Sequence, residues 1–218
     1  MGELVKAFHK FLMRDLSYIT GGGAVILSFL YIFNQYPDES TPIYLYALGV
    51  AIAYVVGYAI QDALGLFRLI RMKAGYPPNR FGRWLYKRYD RETIRETPKT
   101  SKALKSYRKK YETHKKWLYT SAAQRYKDDH ERIEGLKQVG FTVGPCLIIS
   151  GPLLLIRSGF CLRELDCYLP YASILIGAAL YILGWLKVTQ QTQYVLRFSR
   201  KPRRRTNRRI KGKTGVRP

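Results

Sequence analysis

The densest set of groups able to carry protons or hold a metal is Asp128-Asp129-His130-Glu131, with His114 sixteen residues earlier. On a helix, consecutive residues point in different directions, so such a run predicts a solvated face with local charge pairs rather than a ligand cluster. There is no HExxH, no CxxC pair and no GxSxG. The GKT at 212–214 ends like a phosphate-binding loop, but Asn207 stands where the first glycine is needed. No catalytic residue, metal or cofactor is expected. Asp62 is different in kind, because it lies inside a long apolar run. A carboxylate at membrane depth faces protein or water, so it marks either an ion pathway or an ion pair with a base such as Arg68.

That reading rests on the elements around Asp62. Four stretches, 18–36, 42–67, 139–157 and 171–188, are each apolar for about the 20 residues that span hydrocarbon. A soluble helix of that length would show a polar stripe. The 18 N-terminal-most positions carry no small-residue cleavage signature, so the first span is expected to be retained. Of the 38 Lys and Arg residues, only Arg157 and Arg163 fall in the two loops on one side, and the segment 68–138 holds 21 of them against eight acids. The positive-inside rule then makes both termini and 68–138 cytoplasmic. The expected fold is all-α: a four-helix integral membrane bundle, N-in and C-in, in the cell inner membrane. Its parts are an amphipathic helix over 1–17, a hairpin over 18–67, a basic helical domain over 68–138, a hairpin over 139–188 and a basic tail over 189–218.

Within the spans, Gly49, Ala53, Gly57, Gln61 and Gly65 recur every four residues and predict a ridge for close helix packing, inside one subunit or between two. Gly144-Pro145 and Gly151-Pro152 predict two kinks on one face of the third span, serving as a hinge or as a static bend. The carbonyls freed there, near Phe141 and Ile148, need outside donors. Cys161 and Cys167 share an outer loop, where they pair as a disulfide in an oxidising compartment or remain free thiols. Cys146 is a small packing residue.

Between Ser101 and Gln138, Leu104, Tyr107, Tyr111, Leu118, Ala122, Tyr126 and Ile133 form one apolar stripe, uninterrupted by proline. It predicts an unbroken stalk of about 35 residues, roughly 50 Å, that packs on another helix or another subunit. Arg203, Arg204, Arg205, Arg208, Arg209, Lys211 and Lys213 make the tail a binder of anions: lipid headgroups of the inner leaflet, an acidic protein or a phosphate backbone.

The plan of four spans, a helical insertion between the second and third, and a basic cytoplasmic face resembles the four-pass membrane subunits of prokaryotic antiphage systems, such as the membrane component of the Kiwa system. That resemblance implies an oligomeric inner-membrane platform that senses events at the envelope and signals to a cytoplasmic, nucleic-acid-binding partner. The function expected is a non-enzymatic membrane anchor or sensor, a homo-oligomer with a cytoplasmic protein partner and nucleic acid bound directly or through it. The competing expectation is a channel or pore-forming effector, gated through Asp62, Pro145 and Pro152.

Overall fold

The computed structural model describes residues 2–35, 41–67, 69–70, 101–158 and 165–198, with backbone alone at 2–12, 101, 104, 157–158, 165–167 and 197–198. These residues form five helices and no strand: α1 (Gly2–Phe33), α2 (Ile43–Leu66), α3 (Ser101–Ser121), α4 (Gln124–Ser158) and α5 (Leu165–Phe198). Four of them hold segments long and apolar enough to cross a membrane, Met13–Phe33, Ile43–Leu66, Gln124–Ile156 and Tyr168–Leu196. Cys161 and 199–218 lie outside the described residues, and of Cys167 only the backbone is described.

Helix α1 ends in a Schellman motif. Asn34 takes a left-handed conformation (φ 56°), the Gln35 amide bonds to the Leu30 carbonyl at 2.9 Å and the Asn34 amide to Tyr31 at 3.3 Å. Asparagine tolerates this backbone because its short polar side chain bonds locally. Helix α2 then starts behind Pro42, whose fixed φ and missing N–H suit the position before a first turn.

The chain forms two compact units, 1–72 with 134–188 and 73–133 with 189–218. In the first, small residues set the packing. A methyl group added at Gly22 would overlap the carbonyl oxygen of Ala53, and one at Gly57 would overlap that of Tyr18, so α1 and α2 meet backbone to backbone. Gly21 faces the Cys146 sulfur of α4. Helices α4 and α5 are just as close: a methyl group on Gly144 would lie 2.9 Å from the Gly177 carbonyl oxygen, and one on Gly177 would lie 2.7 Å from that of Gly144. Dispersion and close backbone approach, rather than the hydrophobic effect, drive such contacts in an apolar solvent.

Both Pro145 and Pro152 lie inside α4. Pro145 is buried and Pro152 exposed, although they share a helical face. Beside the second proline, the Ser173 hydroxyl of α5 donates to the Leu147 carbonyl at 2.9 Å, a donor from a neighbouring helix at the weakened turn.

The second unit differs from the expected stalk. The helix breaks at Ala122-Ala123, with the Tyr126 amide bonded to the Ala123 carbonyl at 3.0 Å. The Tyr119 hydroxyl lies 2.9 Å from His130 Nδ1. In one straight helix those residues would stand about 16 Å apart along the axis, so α3 folds back on the start of α4. The cause is the stripe itself. Tyr111 and Leu118 are buried with Val195 of α5, flanked by Ala122, Tyr194 and Leu196. An apolar stripe needs an apolar partner, and the end of α5 supplies one that a straight rod would leave exposed. Tyr126, by contrast, is exposed, and only the backbone of Leu104 is described.

Candidate functional site

The first unit contains a buried amide and hydroxyl network built from three helices. Because Gly22 and Gly57 bring α1 and α2 together, Tyr18 sits edge-on to Tyr54 and Tyr58, with ring centroids 5.4 and 5.6 Å away. Its hydroxyl accepts a hydrogen bond from Gln61 Nε2 at 3.2 Å, one turn beyond Gly57. Gln138 Nε2 of α4 donates to Gln61 Oε1 at 2.8 Å and reaches the Tyr18 oxygen at 3.3 Å. Thr142, a turn later, also donates to Gln61 Oε1. Unsatisfied polar groups cost several kcal/mol in hydrocarbon, so a closed network fixes the three helices in one register. Amides do not exchange protons near neutrality, so this chemistry is positional rather than acid–base.

Other buried hydroxyls bond within their own helix: Ser17 to the Met13 carbonyl, Ser28 to Ala24 and Ser150 to Cys146. Such back-bonding satisfies the hydroxyl without linking helices. Of the five ridge positions, Ala53, Gly57 and Gln61 are buried, whereas nothing lies within 4 Å of a methyl group built at Gly49 or Gly65. Asp62 is exposed on the opposite side of α2, and Arg68 is outside the described residues. Asp62, Pro145 and Pro152 therefore do not share one environment: Pro145 is buried, the other two are exposed. Lys137, 3 % exposed, has its ammonium 4.0 Å from Glu134.

In the second unit the acidic run disperses as helical geometry demands. Asp128 accepts from Gln124 Nε2 at 2.8 Å, and Asp129 from the Tyr194 hydroxyl at 3.2 Å. His130 turns inward, 0 % exposed, with Tyr119 on Nδ1 and Gln191 Nε2 at 3.2 Å from its Nε2. With the amide nitrogen donating to Nε2, the ring proton sits on Nδ1 and points to the tyrosine oxygen.

His114 lies on the same side of α3 as Tyr111 and Leu118, and its Nδ1 is buried with no hydrogen-bond partner. Burial, and after it the Lys110 charge, lower its pKa below the usual histidine value. The folded state thus disfavours the charged ring. Stability from this residue is present above the unfolded pKa of about 6.5 and lost as pH falls through it toward the lowered folded value. Between pH 7.5 and 5.5, the second unit should lose protection against amide exchange, and His114→Gln should remove that part of the pH dependence. An unchanged pH profile in the variant would show that His114 is not the responsible group.

The surface of α3 opposite its buried side carries Lys102, Lys105, Lys109 and Lys116, all exposed, with Arg108 exposed at its edge. Their spacing of three, four and seven residues aligns them in one stripe, with Glu112 as the single acid in the helix.

The network could be sought in the sequence as polar residues within spans, at Gln61, Gln138 and Thr142. The glycines of α4 and α5, four and seven residues apart, carried a similar signal. The inward turn of His130 had none, since its neighbours are all charged. No family model, curated protein or solved structure matches this chain. Its four long apolar helices are those of a multi-pass membrane protein.

Proposed function

We propose that the chain is a non-enzymatic inner-membrane anchor with both termini in the cytoplasm, which assembles as an oligomer and recruits or regulates a cytoplasmic partner through its basic helical unit. The observation that carries this reading is the two-sided use of α3. Its apolar side is buried against α5, so it is not available for membrane insertion, while Lys102, Lys105, Lys109 and Lys116 remain exposed in line. A row of compact charges on a folded helix suits an acidic surface met reversibly, with salt-dependent association. A role in antiphage defence follows from the resemblance in plan, and the basic tail would add contacts to anionic headgroups.

The test is the triple variant Lys105→Glu, Lys109→Glu, Lys116→Glu in the full chain, expressed in its native host. Binding of the co-purifying cytoplasmic partner should fall at least about tenfold, the order expected when several rim charges are reversed. Its loss should mimic that produced in the parent by high salt. Full partner recovery with the triple variant would reject α3 as the docking surface. Impermeant labelling of cysteines placed at residues 110 and 201 in spheroplasts should fail, and labelling from outside would reject the topology.

A further inference from the structure

Helix α2 is held by one narrow side. Of its 24 residues only Ala53, Gly57 and Gln61 are buried, all against α1 or the amide network. On the far side, Tyr44, Leu48, Ala51, Val55, Tyr58 and Asp62 are all exposed and alternate at spacings of four and three. That is the spacing at which one helix presents a continuous seam to another.

Lipid alone would cover an apolar seam. It does not suit this one. Asp62 is not at the edge of the apolar surface: Val55 lies above it, 61 % exposed, and Leu66 and Phe67 lie beyond it, 77 % and 76 % exposed. A bilayer deep enough to cover Leu66 covers Asp62 as well. Helical side chains lean toward the helix N-terminus, so the short carboxylate points back toward Tyr58 and not toward the nearer end. A carboxylate in that position is placed against protein or water. Lys137, the buried base of α4, already lies beside Glu134.

From this seam we infer that a second copy of the chain docks on the bare face of α2, helix against helix, with Tyr58 and Asp62 at the contact. Copies inserted in the same sense place α2 beside α2 in parallel about an axis normal to the membrane, so equivalent residues meet in layers. Ala51, and Gly65 one turn past Asp62, keep the two backbones close. The Tyr58 hydroxyls, one turn from the carboxylates, supply donors, while the facing charges repel and hold the association below its limit. A polar group at one seam position commonly fixes register at a cost in affinity. This inference rests on the membrane reading above but not on the partner of α3.

The experiment is cysteine cross-linking of the full chain in lipid vesicles, in a Cys161→Ser, Cys167→Ser background that retains the buried Cys146. Oxidation should link Leu48→Cys and Val55→Cys at least fivefold more than Val50→Cys, which is equally open but on another side of the helix. Adding Asp62→Asn to Val55→Cys should raise the linked fraction several-fold by removing the facing charges. Equal linking at Val50 and Val55, or none at either, would overturn the proposal, as would a linked fraction that Asp62→Asn leaves unchanged or lowers. Carbonate extraction of the same samples separates the failures: chains released from the membrane fail the membrane reading, whereas retained but unlinked chains fail only the seam.

Discussion

Gly57→Leu should cost the membrane unit more than about 3 kcal/mol, beyond the usual range for overpacking, because the added atoms meet backbone rather than a movable side chain. Even a methyl group at this position overlaps the Tyr18 carbonyl, and Gly22 faces Ala53 in the same way one turn along. The α1–α2 contact can admit a larger residue only if the helices separate. Separation would also pull Gln61, one turn past Gly57, away from Tyr18 and Gln138. The two losses should therefore appear together. Titration with SDS from mixed micelles, followed by near-UV circular dichroism, should show the variant unfolding at clearly lower detergent fraction. Gly49→Ala is the control: nothing stands within 4 Å of the new methyl group, and its midpoint should match the parent's. A parent-like midpoint for Gly57→Leu would mean that α2 is not seated on α1 in this way.

His130→Ala should be the most damaging substitution in the second unit. It empties a site that is 0 % exposed and takes a hydrogen-bond partner from both Tyr119 and Gln191, of which Gln191 is itself 1 % exposed. Lost packing and stranded polar atoms together cost about 2–4 kcal/mol. Amide exchange across 101–133 should accelerate by roughly 30- to 1000-fold, at 1.4 kcal/mol per factor of ten. The four-helix unit should keep its protection, since the Tyr18–Gln61–Gln138–Thr142 network is made wholly within it. If exchange over 101–133 were unchanged, the fold-back of α3 onto α4 would not depend on this histidine. Uniform acceleration through 134–188 would show instead that the two units unfold as one.

What could be anticipated divides along a physical line. Long apolar runs have few options, because a bare backbone in hydrocarbon must satisfy its own hydrogen bonds, and so the helices of the four candidate spans follow from composition. The four-residue ridge in α2 was visible for the same reason: periodicity survives in one dimension. Its division was not visible. Ala53, Gly57 and Gln61 face α1, while Gly49 and Gly65 face open space, and nothing local distinguishes them. The break at Ala122-Ala123 was equally hidden, since both residues favour helix. It exists because Tyr111 and Leu118 find Val195, a residue 77 positions from Leu118.

The sequence alone determined that this protein is helical, that four of its segments are long and apolar enough to cross a bilayer, and that its basic residues are segregated from them. Those properties depend on residue type and short-range spacing. The tertiary structure decided which faces of those helices are used: Gln61 joins Gln138 and Thr142 from beyond the basic segment, His130 turns inward between Tyr119 and Gln191, and Asp62 is left outside on α2. Such choices depend on partners distant in the chain, and close packing is selective because backbone atoms that touch at a glycine leave room for one register only.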